Sequence, residues 1–283
     1  MTRARPAYNA VKGGGGMRLK TKRYRVRKRR GGLLLFLLLL LGAGVLLLLR
    51  SGGALPVFFS PAPPLTPEES AQETRTLVLP GKTWYALQLG AFSEENAAHA
   101  LAASYRTRGA AGFVQTREGF RVLAAAYASR AEAQAVQSRL GSMHGIETYV
   151  DEIVRPEITL RVTGQKAQLT ALEDGFTTLS QCAEQLYALS LALDERRETV
   201  DAARQFLLSQ RETAGTLARR LETLFGADAP ESVQPLIQAL HDAEASLAEA
   251  AACTGETALG AQVKYCQLLC IFALSDYAAA LAG

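Results

Sequence analysis

Two short stretches of the chain alternate apolar and polar side chains with a period of two. Tyr85, Leu87 and Leu89 alternate with Ala86, Gln88 and Gly90, and thirty-five residues later Phe120, Val122 and Ala124 alternate with Arg121, Leu123 and Ala125. That period marks a half-buried strand. Each run leads into a helix signal. Ser93 stands as an N-cap ahead of Glu94 and Glu95, two acids suited to a first turn, with Ala97, Leu101 and Tyr105 on one face and Gly109 as the stop. Ser129-Arg130-Ala131-Glu132 is a capping box, followed at helical spacing by Ala133, Val136, Leu140 and Met143 and ended by Gly145. Phe113 to Thr116 is a weaker strand, Arg117-Glu118-Gly119 a turn, and Ile146, Thr148 and Val150 suit a last strand. The order β-α-β-β-α-β fits the split βαβ plan, with one antiparallel sheet and both helices on one face.

On that plan the other sheet face is bare. It carries Trp84, Ala86, Gln88 and Gly90 from the first strand and Arg121, Leu123 and Ala125 from the third. A bare face is either solvated or a binding platform, and geometry alone leaves both open.

Beyond Glu157 the pattern changes. Ile158, Leu160 and Val162 suit a short strand, and after Gly164 apolar residues recur at three and four positions to the end. Breaks near Asp194-Glu195, Gly226 to Pro230 and Thr254-Gly255 divide this region into four helices, either an up-down bundle or two long hairpins. Residues 83–155 and 156–283 thus read as an α+β domain followed by a separate all-α domain.

The residues ahead of the repeat have another character. Residues 1–32 carry twelve Lys or Arg and no acid, whereas residues 51–283 carry eighteen basic and twenty-seven acidic side chains. The basic balance therefore belongs to the arm, 1–30, and not to the folded part. Leu33 to Leu49 is seventeen residues without a charged or polar side chain, at the short end of the roughly 17 to 25 residues that span a hydrocarbon core. Residues 31–50 read as a transmembrane anchor, with small residues at Ser51-Gly52-Gly53-Ala54 keeping a cleaved signal open. Lys and Arg are retained on the cytoplasmic side, which places everything from Ser51 onward outside the cytoplasm. Residues 51–82, with Pro56, Pro61, Pro63, Pro64, Pro67 and Pro80, read as an extended extracytoplasmic linker.

Catalytic chemistry is not legible. There is no phosphate loop, nucleophile elbow or His-Glu-x-x-His helix. His99, His144 and His241 lie far apart in sequence, and no His and carboxylate cluster suggests a metal. Cys266 and Cys270 share a helical face but lack the spacing of a structural zinc site. With Cys182 they read as buried thiols acting as small hydrophobes, a disulfide involving Cys253 being the alternative. No cofactor is expected.

The first run, Tyr85-Ala86-Leu87-Gln88-Leu89-Gly90-Ala91-Phe92-Ser93, resembles the first-strand pattern of the SPOR domain, a small module of bacterial cell-envelope proteins. Phe120-Arg121-Val122-Leu123-Ala124 resembles its third-strand pattern, with Ala125-Ala126-Tyr127 in place of the more usual Gly-Pro-Phe. The resemblance covers about Thr83 to Val154. It implies a β-α-β-β-α-β fold and binding to peptidoglycan glycan strands from which stem peptides have been removed, at division septa or in sporulation. It also implies that the bare face is the platform, with Gln88 and Arg121 as its polar residues. Trp84 shares the parity of Gln88, so its ring is either a sugar-stacking surface or a plug at the sheet end. The expected protein is thus a non-enzymatic, single-pass membrane protein that binds glycan. Its helical domain meets other envelope or division proteins, or acts as the scaffold in its own right. Nucleic-acid sheets of the same strand order need aromatics on the outer face, which Ala86, Gln88, Gly90, Arg121 and Leu123 do not supply, so no nucleic-acid partner is expected.

Overall fold

The computed structural model describes residues 72–227 and 229–282. The expected arm (1–30), the anchor (31–50) and the linker up to residue 71 lie outside the described residues.

Strands β2 (Lys82–Phe92), β3 (Phe113–Thr116), β4 (Phe120–Tyr127) and β5 (Tyr149–Arg155) form one antiparallel sheet in the order β3-β4-β2-β5. Helices α1 (Glu95–Arg106) and α2 (Arg130–His144) pack on a single face of it. Under α2 lie Leu87, Ala124, Ala125 and Tyr127, and under α1 lies Val122, packed on Ala98 and Ala102. The alternation builds this core up to the bulges between β2 and β4, which shift its parity: Ala125 and Gly90, expected on the bare face, lie on the helix side, Ala125 under α2 and Gly90 against Leu101 of α1.

Local details depart from expectation where caps decide them. The cap position of α1 is Glu94, which makes no side-chain capping bond, so Ser93 does not cap. The inward residues of α1 are Ala98 and Ala102, while Ala97 is exposed. The capping box of α2 forms as read: the Glu132 N–H donates to Ser129 Oγ, and Ser129 N–H donates to Glu132 Oε2 at 2.9 Å. Gly145 then closes α2 in the left-handed region at φ 63. Met143 stands 69% exposed, because the packed stripe of α2 ends at Leu140. Between α1 and β3, Gly112 has φ +56 and a Cβ there would lie 2.5 Å from the Ala102 carbonyl oxygen. Only glycine fits that close approach.

Gln72–Leu79, expected to be linker, is instead strand β1. It pairs antiparallel with β6 (Ile158–Gln165), from Gln72 opposite Gln165 to Leu79 opposite Ile158. The cause is the Ile158 strand, which has unpaired backbone groups and finds its partner on the far side of the module. Leu77, Leu79 and Ile158 are buried beneath this ribbon, and Thr74 and Thr163 share a hydroxyl hydrogen bond of 2.7 Å on its outer side.

The C-terminal helices are α3 (Lys166–Asp194), α4 (Val200–Phe225), α5 (Gln234–Ala252) and α6 (Glu256–Ala282). Each packs on its neighbours in chain order, and α6 closes the ring against α3, giving a four-helix bundle. It is not a separate domain. One continuous core joins Leu186, Leu207, Leu240 and Leu268 of the bundle to Leu77 of the ribbon and to Trp84, Ala86, Leu123 and Ile153 of the sheet. The joining element is α6. Among the described residues it alone is long and apolar enough to cross a membrane, yet most of its apolar stretch is buried. A helix apolar all round is what a position between two layers requires.

Candidate functional site

Cross-strand pairing decides which residues share the second sheet face. Trp84 lies opposite Ile153, Ala86 lies between Ala126 and Asp151, and Gln88 lies between Leu123 and Tyr149. Irregularities at Leu87, Gln88 and Gly90 leave Ala124 and Leu89 without a paired residue. These bulges re-aim the strand, yet Gln88 keeps the side of Leu123 and of Arg121, two positions away.

The face expected to be bare is half covered. Over Phe113 lie the rings of Phe272, stacked at 5.3 Å, and Tyr265, at 5.2 Å, both from α6. From α3, Tyr187 meets the edge of Trp84 at 5.7 Å. Polar pins border the contact. Gln267 Nε2 donates to the Ala126 carbonyl at 3.1 Å, and Arg117 pairs with Asp276 at 2.9 Å. Lys264 Nζ donates to the Gly109 carbonyl at 3.1 Å and to Asp194 at 2.7 Å. On the α3 side Lys82 pairs with Glu184 at 3.1 Å, and Arg155 donates to the Pro80 carbonyl and to Ser180 Oγ.

Trp84 is therefore 4% exposed and fills the layer between sheet and bundle. Of the two expectations for it, the plug matches this geometry, and its ring faces Tyr187 with no open sugar-sized surface beside it. The physical reason is that Trp84, Ala86 and Leu123 make the face too apolar to stay wet once α6, apolar on all sides, lies in the same chain.

The other half of the face is open, and it holds the two polar residues singled out in the sequence. Gln88 is half-buried and its side chain bonds to no described residue. Arg121 Nη1 donates to Asp151 Oδ2 at 2.9 Å, with side-chain exposures of 32% and 34%. Since β4 and β5 flank β2, this ion pair crosses over the part of β2 that carries Gln88. Next to Gln88 in the ladder, Tyr149 is 61% exposed. Gln115, opposite Arg121 on β3, is half-buried at the margin. The strip thus offers a carboxamide, a guanidinium held by a carboxylate, and a phenol ring. Together they can donate to and accept from hydroxyls and acetamido groups and lay a ring on an apolar sugar face.

A last strand starting at Ile146 places neither Tyr149 nor Asp151 on this face, whereas the observed strand begins at Tyr149. Strand pairing is the signal that finds them: on β5 the parity of Ile153, opposite Trp84, selects Asp151 and Tyr149.

Elsewhere the titratable groups are spread out. His99 and His144 lie on different helices, and His241 Nε2 contacts Glu222 at 2.8 Å between α4 and α5. Among the described residues no group of three His, Cys, Asp or Glu could hold a metal. All four thiols are free, with Cys182, Cys266 and Cys270 buried and Cys253 half-buried. Burial pushes the Cys266 thiol up to about 12. Contact with the Cys182 thiol, with burial second, pushes Cys270 up as well.

The family model of the SPOR domain matches residues 81–151, which spans β2 to the first part of β5 and excludes the ribbon and the bundle. No curated protein and no solved structure is significantly similar to the chain.

Proposed function

We propose that this chain is a membrane-anchored, non-enzymatic protein that binds peptidoglycan glycan strands through its SPOR domain during division or sporulation. Peptidoglycan binding is the property of SPOR domains. The observation that carries the reading is the strip of Gln88, Arg121 and Tyr149, left open while the rest of the same face is packed away. A glycan strand laid along it would meet Gln88 at the centre, with the Tyr149 ring on one side and the Arg121 guanidinium, already oriented by Asp151, on the other. Residues 82–152 carry seven basic and seven acidic side chains, so this binding depends little on salt, unlike recognition of phosphate. Strands stripped of stem peptides are the expected ligand, because α6 packs on the same face beside the strip and a stem peptide on that side would meet it.

Co-sedimentation of the protein with wall sacculi, with and without amidase treatment, tests this. Enrichment on treated sacculi that falls in Gln88→Ala, Arg121→Ala and Tyr149→Ala supports the reading, and equal recovery on both materials removes the denuded-strand specificity. A reporter at the C-terminus active only in the cytoplasm would remove the anchor and its orientation. The second reading is a scaffold acting through the helical bundle. It is favoured by the size of the shared core, and unchanged wall binding and localisation in the Gln88 and Arg121 variants would select it.

A further inference from the structure

On the opposite face of the sheet, between α1 and α2, is a cavity of about 280 Å³ that no part of the glycan reading uses. Its floor is apolar: Leu87, Ala124 and Ala125 from the strands, with Val136 and Leu140 from α2. The alanines explain why it exists. At Ala124 and Ala125 the strand brings only methyl groups to the layer beneath α2, which leaves space at its edge. The pocket opens to solvent at one side, as small-molecule sites do, and its size lies near the lower end of such sites, about 300 Å³.

The mouth is charged. Arg108, Arg139, Lys264 and Asp194 border it. Lys264 and Asp194 satisfy each other at 2.7 Å. That leaves two guanidiniums. Among the described residues neither Arg108 nor Arg139 forms an ion pair, and Arg108 rests over the Tyr105 ring at 5.1 Å. An apolar pocket with two guanidiniums free of ion pairs at its rim complements an apolar chain that ends in an anion such as a carboxylate. Guanidinium matches carboxylate in a bidentate, charge-assisted pair.

We propose that this cavity is a binding site for a free amphipathic carboxylate, its chain lying on Leu87, Ala124 and Ala125 and its head between Arg108 and Arg139.

Calorimetric titration of the full chain with decanoate, and with decanol as the uncharged match, tests it. Saturable one-site binding of decanoate is expected, with decanol at least about tenfold weaker, the weight of one charge-assisted pair. The double variant Arg108→Gln/Arg139→Gln should bring decanoate down to the level of decanol. Ala125→Leu, which fills the floor, should abolish both. Absence of saturable decanoate binding, equal affinity for decanol, or full binding in a natively folded Ala125→Leu protein would overturn the proposal. Should Ala125→Leu fail to fold, the arginine variant decides alone, because both side chains lie at the rim and carry no buried partner.

Discussion

Trp84→Ala separates two roles for the same ring, and the structure sets the size of the effect. Trp84 is 4% exposed, meets Tyr187 edge-on at 5.7 Å and has Lys82 Nζ over its ring at 5.0 Å. Truncating a buried tryptophan to alanine costs about 3–5 kcal/mol through lost burial and the cavity left behind. The loss of the Tyr187 pair places the cost in the upper part of that range, since such pairs contribute about 0.5–1.5 kcal/mol beyond area. For a folded unit of this size each kcal/mol moves Tm by about 2–4 °C, so a fall of about 8–20 °C is expected. Because one core joins sheet and bundle, the loss should appear in the helical far-UV signal as well as in the sheet. Trp84 is also the sole tryptophan of the chain, so its fluorescence reports this layer directly. Native emission should be blue-shifted, resist acrylamide quenching, and shift red in the same transition as the circular dichroism. A Tm within about 2 °C of the parent, together with lost glycan binding, would refute the reasoning and return Trp84 to the open face, since surface substitutions stay within about 0.5 kcal/mol.

Gly112→Ala should lower the urea midpoint more than a surface change, because the added Cβ meets the backbone of Ala102 and the backbone there is left-handed; urea titration of the two proteins measures it. Ser129→Ala should cost about 1 kcal/mol by removing the cap of α2. Glu132 adds a pH dependence, since the hydrogen bond from Ser129 holds its carboxyl below the ordinary glutamate value. A depressed acid stabilises above its unfolded pKa, about 4.3, and loses that contribution as pH falls through the folded value. The stability difference between the parent and Glu132→Gln should therefore be present at pH 7 and vanish in strong acid, as seen by denaturant titration at each pH. Iodoacetamide at neutral pH should leave Cys182, Cys266 and Cys270 unmodified in the native protein and alkylate all three in denaturant, read by mass spectrometry.

What the sequence discloses of this fold follows the range of the interaction. The strands around Tyr85 and Phe120, the capping box at Ser129 and the stop at Gly145 are set by neighbours within a few residues, and all form as the pattern implies. The ribbon was hidden because Gln72 to Thr76 are mostly polar and their partner lies beyond the whole module. One clue was present, a short strand at Ile158 with nothing beside it to pair with. The covering of the sheet was hidden in the same way. Trp84, Ala86 and Leu123 make one unpartnered apolar surface, and the last helix, apolar on all sides, makes another. Only their combination reveals that each is the other's partner. Of the site, Gln88 and Arg121 were readable from strand parity, whereas Asp151 and Tyr149 depend on the register of β5, which no local pattern sets.

The ribbon of β1 and β6 has a mechanical consequence. The chain leaves it at Leu79 and returns at Ile158, directly opposite, so the sheet and its two helices are a closed excursion from a two-stranded stem. At the other end of the stem Gln72 faces Gln165, which runs straight into α3. A pull on the chain ahead of Gln72, resisted by the bundle, therefore loads the two adjacent ends of an antiparallel pair. The ladder bonds then break one after another, from Gln72 and Gln165 inward, because they lie perpendicular to the strands. Tension would peel away the stem while the SPOR sheet, outside that line of force until Leu79 is reached, stays folded.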